Sequence, residues 1–381
     1  MRVLLITRAT HHSALAGDSI QVMKTGAALR EKGCSVEISS DGETSVEGFD
    51  LVHVFGFLRQ EGANAQALAA QRRGIPIVLS PIYVDYSEFR EHYRRRRAGL
   101  QQEPDAGPPH VLRGKLPNGE YVTEVRGKAA AEIRRAAQRW LSMASVLLPN
   151  SHSEMRRVER DFPEARGKNY VAVPNAVDGD LFSPAAVEPL KEFQDCILCV
   201  ARIEGQKGQL ELIRALNGTG LKLVLIGKTV TNSYWYYNRI RRELGPQVTL
   251  LGQVPHEDLP RYYASCKVHA LVSWMETTGF SSLEAGVMGA NLVITDKGDA
   301  REYFGDLARY CSPDSIDSIR TAIQGAFEAP RSGLLRERIL EKYTWSAAAE
   351  ATLQGYDLAL RRQNRTFQLQ LPGKGNISKE S

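Results

Sequence analysis

Short strand-like runs, most of them apolar and interspersed with stretches of helical periodicity, constrain this chain more than any other feature. In the first half they fall at residues 3–6, 36–39, 51–55, 75–80 and 145–149. In the second half they fall at 197–200, 221–226, 248–251, 268–272 and 292–294. Helical patterns lie between them, at 18–31 (entered from Gly17 and ended by Gly33), 66–73 and 129–143. Strand–helix alternation of this kind predicts parallel, doubly wound α/β sheets. A chain of 381 residues has room for two such domains, and 43% hydrophobic residues supply two cores. Ligands of such sheets bind at the C-terminal ends of the strands, so a cleft between two facing domains is the expected site.

The second half carries two strand–loop–helix junctions with chemistry in the loop. After residues 196–200 comes Arg202, then Gly205, Lys207 and Gly208, then the helical pattern Leu210, Leu212, Ile213, Leu216. Arg offers a bidentate fork for phosphate and Lys a point charge. After residues 268–272 comes Glu276, then Thr278, Gly279, Phe280 and Ser281, then Glu284 inside the next helix. The start of that helix presents free N–H groups, which suit an anion. Two glutamates beside an anion site fit a ligand having both phosphates and hydroxyls. They also fit two solvated acids at a helix start.

In order along the chain, Arg202, Lys207-Gly208, Glu276 and Glu284 resemble the motifs of the retaining glycosyltransferases of family 4, as does Val173-Pro174-Asn175-Ala176-Val177-Asp178. Ala176 stands where that family usually has glycine, and Gly17-Asp18 resembles its first-domain loop. The resemblance implies the GT-B architecture. The implied layout is an acceptor-side domain over 1–184 with a basic insertion at about 86–128, and a nucleotide-sugar domain over 185–345. A helix over 346–362 crosses back to the first domain, and a flexible tail covers 363–381. It implies a retaining, metal-independent hexosyltransferase. Arg202 and Lys207 receive the leaving diphosphate, and Glu276 holds the donor sugar. Glu284 holds the ribose, while Gly17, Thr278, Gly279, Phe280 and Ser281 complete the donor site. No cofactor is implied. Text around Ser273–Glu276 and Arg301–Asp306 resembles bacterial surface-polysaccharide transferases of O-antigen, capsule or exopolysaccharide, which makes GDP-mannose the first donor to consider. The alternatives are a non-catalytic nucleotide-sugar-binding protein and a GT-B epimerase.

On the acceptor side, His53 and Asp18 are the candidates. The family's histidine falls at Phe55 here, so a structural His53 stands beside a functional one. Asp178-Gly179-Asp180 reads as a turn rather than a metal site. Lys228 follows a strand end and either lines the nucleotide cleft or is solvated. Cys196 and Cys199 point to opposite faces of one strand, which suits neither metal nor disulfide. Residues 89–139 hold twelve Lys/Arg against six Asp/Glu, a net +6 beside +5 for the whole chain. The run Arg94, Arg95, Arg96, Arg97 is either a solvated loop or a contact for an anionic bilayer. The expected acceptor is a glycan or a polyprenyl-diphosphate-linked sugar, and the latter, at the inner leaflet, would place the run there. No aromatic–basic recognition motif points to nucleic acid. With no spanning run and five cysteines, the expected place is the cytoplasm, peripheral at the inner membrane face.

Overall fold

The computed structural model describes residues 1–8, 17–40, 42–57, 64–99, 128–230 and 233–361. Most of the basic insertion and the tail from 363 therefore lie outside the described residues. Two parallel sheets form the chain. The first has five strands in the order β2-β1-β3-β4-β5: β1 Arg2–Ile6, β2 Ser35–Ser39, β3 Leu51–Phe55, β4 Ile77–Ser80, β5 Val146–Leu147. The second has six in the order β11-β10-β9-β6-β7-β8: β6 Cys196–Val200, β7 Leu223–Ile226, β8 Val248–Gly252, β9 Cys266–Leu271, β10 Asn291–Thr295, β11 Arg309–Cys311.

The helices of the first half are α1 Gly17–Glu31, α2 Asn64–Arg72, α3 Ser87–Gly99, α4 Lys128–Met143 and α5 His152–Asp161. Those of the second are α6 Gln209–Leu216, α7 Tyr234–Glu243, α8 Leu259–Ser265, α9 Phe280–Val287, α10 Ala300–Phe304, α11 Ile316–Glu328 and α12 Leu334–Lys342. The last helix is α13 Trp345–Arg361.

The uninterrupted apolar runs of the inner strands follow from burial on both faces of each sheet, while the edge strands β2 and β8 are only partly covered. On β1, Leu4 and Ile6 enter one core and Val3 and Leu5 the other. On β6, Cys196 and Leu198 face one side while Ile197 and Cys199 face the opposite side. Burial pushes both thiols up to about 12, so they are small core hydrophobes. The sequence reading missed the short edge strand β11 and several helices, α3 and α7 among them. The strand is three residues long, and the two helices are rich in charged and aromatic residues, with few aliphatic ones to mark a helical period.

Helix α13 belongs to the second half in sequence and to the first domain in space. Its Ala348, Ala349, Leu353, Tyr356 and Ala359 share a core with Val3, Leu5, Val22 and Leu29. The domains also meet through α5. Ser151 caps this helix by accepting from the Glu154 N–H at 2.8 Å. Glu302 of α10 accepts from the N–H groups of His152 and Ser153 at 2.8 and 2.9 Å, a carboxylate on the positive helix end. Arg157 donates to Asp299 at 2.5 Å, with Asp299 fully buried. Beneath them Glu154 accepts from the N–H groups of Tyr83 and Asn150. Burial first, and then the Asp299 charge, push its carboxyl up to about 7.

Candidate functional site

The loop after β6 makes one wall of the site. Gly208 sits at φ +68°, where a Cβ would lie 2.6 Å from the Val272 carbonyl oxygen. Only glycine fits both the left-handed backbone and that approach. The turn presses the loop onto the end of β9, and the Trp274 N–H donates to the Gln206 carbonyl at 2.9 Å. The Lys207 ammonium is thereby set 2.5 Å from Glu276 Oε1, with both side chains largely buried. Burial works against the Lys207 charge, but Glu276, Tyr86 and Glu204 outweigh it and hold its pKa above the ordinary value. Arg202 lies 3.0 Å from Glu204. The two predicted basic residues and the first predicted glutamate therefore occupy one charged cluster at the C-terminal ends of β6 and β9.

Glu284 lies deeper, on α9. Its Oε2 accepts from the Tyr263 hydroxyl at 2.8 Å, and its Oε1 meets His256 Nε2 at 2.9 Å. That hydrogen bond raises the His256 pKa against the effect of partial burial. Gly279, at φ +77°, precedes α9 with no side-chain cap, and its carbonyl accepts from the Ser282 and Leu283 N–H groups at 2.9 and 3.3 Å. Thr278 is buried, and its hydroxyl accepts from Asn175 Nδ2 at 3.1 Å. The interdomain segment is thus tied directly to this loop. Phe280 stacks on Trp345, and its ring lies 3.4 Å from where a Gly17 Cβ would be. Gly17 thus sets the first domain in contact with the start of α9. Ser281 follows Phe280 in the first turn. Lys228 lines an open cleft of about 300 Å³ with Gly227, Thr229, Tyr237, Leu250, Leu251, Gly252 and Gln253, at the ends of β7 and β8.

The first domain supplies two parts that the sequence did not suggest. Ile82 follows β4 at φ +49°, a conformation that strains a β-branched residue. The chain then turns toward the second domain, and Tyr86 enters the Lys207–Glu276 cluster. Burial, outweighing Lys207, pushes its phenol up to about 12. Helix α3 continues over the same loop. Phe89 lies 3.4 Å from where a Gly205 Cβ would be. Phe89 and His92 meet Trp274 at ring distances of 5.9 and 4.6 Å, and Glu88 meets Lys297 at 2.5 Å. None of these carries a spacing signal, since each depends on residues of another domain more than a hundred positions away in sequence.

The acceptor-side candidates lie in the core of the first domain and at the start of α1. His53 is 1% exposed inside β3, and burial lowers its pKa to about 3. Its ring nitrogens meet the Tyr356 hydroxyl at 2.8 Å and the Ser80 hydroxyl at 2.9 Å. It is a neutral core residue joining α13 to the sheet. Asp18 is held by Arg8, with Nε at 2.6 Å and Nη2 at 3.1 Å, and so shapes the start of α1. Asp178 accepts from Lys24 at 2.9 Å and from the Leu181 N–H, as a turn residue does. The side chains of Arg94, Arg95, Arg96 and Arg97 lie outside the described residues.

Residues 185–342 match the family model described as glycosyl transferases group 1. The chain is 26% identical over 203 residues to a phosphatidylinositol N-acetylglucosaminyltransferase component of Arabidopsis thaliana, covering 51% of this chain and 45% of that protein. It is 27% identical over 118 residues to the O-antigen chain mannosyltransferase B of Escherichia coli, covering 29% and 30%. The chain thus spans less than half the length of these curated relatives. Among solved structures it superposes on sucrose-phosphate synthase from Thermosynechococcus elongatus with a TM-score of 0.68, at 15% identity, covering 95% of this chain and 100% of that one.

Proposed function

We propose, from the premise that this chain is a GT-B protein carrying a glycosyl transferases group 1 domain over residues 185–342, that it moves a sugar from a nucleotide sugar to a hydroxyl acceptor with retention of anomeric configuration. The observation that carries the reading is the Lys207–Glu276 pair beside Arg202, at the strand ends where a diphosphate and a sugar ring can lie side by side. In this reading the anomeric C–O bond to the diphosphate breaks as the acceptor oxygen bonds to the same carbon from the same face. The acceptor proton passes to the departing phosphate oxygen. Arg202, Lys207 and the first-turn N–H groups of α9 receive the new negative charge, a preorganised arrangement of the type that often supplies the largest catalytic term. Glu276 holds hydroxyls of the donor sugar. Glu284 holds the ribose, and the cleft at Lys228, Gly252 and Gln253 takes the base.

The donor we propose is GDP-mannose, with bacterial surface polysaccharide as the product. The partial likeness to an O-antigen mannosyltransferase supports this choice. The acceptor is a glycan or a polyprenyl-diphosphate-linked sugar. The run Arg94, Arg95, Arg96 and Arg97 then meets an anionic bilayer at the inner membrane face. Fixed cations do the work of a divalent ion, so turnover is to survive EDTA. The test is a panel of GDP-mannose, UDP-glucose and UDP-N-acetylglucosamine, scored by thermal shift and by turnover with and without EDTA. Binding without any turnover or hydrolysis would make the protein a non-catalytic binder, and strict Mn²⁺ or Mg²⁺ dependence would overturn the metal-free scheme.

A further inference from the structure

The outward face of α7 takes no part in the chemistry above. Tyr234 and Trp235, in its first turn, are 58% and 43% exposed. Asn238, Arg241 and Arg242 follow, also exposed and spaced to share the face of Tyr234. From the first domain, Tyr93 of α3, 39% exposed, brings its ring to 5.9 Å from that of Trp235. Three exposed aromatic rings from two domains thus make one ridge, with arginines at one end. Helix α7 holds three arginines against one glutamate. That glutamate, Glu243, accepts from Arg214 at 2.5 and 2.6 Å and from Arg239 at 3.5 Å. Tyr93 is also the residue just before the run Arg94 to Arg97.

We infer that the ridge Tyr93–Trp235–Tyr234, with Arg241 and Arg242, is a docking surface for an anionic phospholipid bilayer. Trp and Tyr rings favour the level of the lipid headgroups, where an apolar body meets a polar edge. Arginines beside them meet phosphate. A surface that needed only stacking would not require the adjoining positive charge. Because Tyr93 and Trp235 come from different domains, bilayer contact engages both at once and holds α3 over the Gly205–Lys207 loop. The inference rests on the bilayer-located acceptor of the preceding section, and adds to it a second contact on the other domain.

The test uses the full chain with vesicles of phosphatidylglycerol and phosphatidylcholine in equal parts, beside vesicles of phosphatidylcholine alone. Trp140 and Trp274 are buried and Trp345 is stacked on Phe280, so Trp235 is the most exposed of the four tryptophans. The anionic vesicles should shift tryptophan emission to the blue, and Trp235→Phe should remove most of that shift while still binding. Tyr234→Ala with Trp235→Ala, and separately Arg241→Gln with Arg242→Gln, should each lower partitioning by about tenfold, and the arginine pair should flatten its salt dependence. Neutralising Arg94 to Arg97 provides the second arm. If that change abolishes binding while both α7 pairs partition like the parent, the bilayer reading stands and this inference falls. If the parent does not bind anionic vesicles, both fall. If the α7 variants lose affinity for a neutral glucan instead, the ridge is a glycan platform and the inference is overturned.

Discussion

Glu276 and Glu284 stand eight positions apart, yet their partners differ. Glu276 faces Lys207 at the cleft end, while Glu284 lies between Tyr263 and His256. Under the proposed roles their replacements should separate kinetically. Glu276→Gln should lower kcat by roughly tenfold to a hundredfold with little loss of nucleoside diphosphate affinity, the sign of an interaction made mainly in the transition state. Glu284→Gln should mainly raise the apparent donor constant and weaken product binding. Steady-state kinetics and product titration of both variants check this, and the reverse pattern would exchange the two roles. His256 gives a prediction in pH. Its folded pKa is raised by Glu284, so its contribution to stability is complete below the unfolded value of about 6.5 and is lost as pH rises through the folded value. Melting temperatures from pH 5 to 9 should fall across that window in the parent and fall less in His256→Gln. Equal slopes would remove the ion pair from the stability balance. The sequence order singled out Arg202, Lys207, Glu276 and Glu284 as candidates. His256, Tyr263 and Tyr86 were invisible to it, because a hydrogen-bond partner has no fixed distance in sequence from the residue it serves.

Helix α3 shows what an element gains from tertiary contact. Its sequence holds a run of arginines and little apolar surface, so an isolated helix of its length would be marginal in water. Phe89 and His92 against Trp274, with Glu88 on Lys297, hold it over the donor loop. Phe89→Ala should therefore release this helix before it disturbs either sheet. Amide exchange over Ser87–Tyr93 is expected to rise by about tenfold, equivalent to ~1.4 kcal/mol. The ring is half-buried, so this is less than the roughly 3–5 kcal/mol that a fully buried Phe loses. Exchange in β6 and β9 should stay as in the parent, and uniform acceleration everywhere would mean the helix is part of the global core.

The two domains are joined by polar contacts as well as by α13. Asp299 is fully buried, and Arg157 from the other domain is its charged partner at 2.5 Å. The Tyr303 hydroxyl donates to the Asn150 carbonyl at 2.8 Å and accepts from the Asn175 N–H at 2.9 Å. The Asp299 N–H donates to the Glu276 carbonyl at 3.0 Å, so the seam continues into the candidate site. Removing Arg157 alone leaves a buried carboxylate without its cation, which costs about 3–5 kcal/mol. Arg157→Met should lower the melting temperature, and small-angle scattering should show a larger radius of gyration as the cleft opens. An unchanged radius with a lowered melting point would make the pair a local support rather than a domain latch.

Strand–helix alternation, and runs apolar on both faces, were fixed by the residues themselves. A strand buried on both sides must read as a continuous apolar segment wherever it pairs. The order of basic and acidic residues at two strand ends was legible for the same reason, since a parallel sheet delivers every strand end to one edge. Tertiary structure alone decided the rest. It turned His53 from a cleft residue into a core residue by closing Tyr356 and Ser80 around it. It committed Asp18 to Arg8, and it brought Tyr86 to Lys207 across the cleft. Those outcomes depend on which segments meet after the chain has folded back on itself. The period of a strand or helix tells which way a side chain points, and only the assembled layers determine what it meets there.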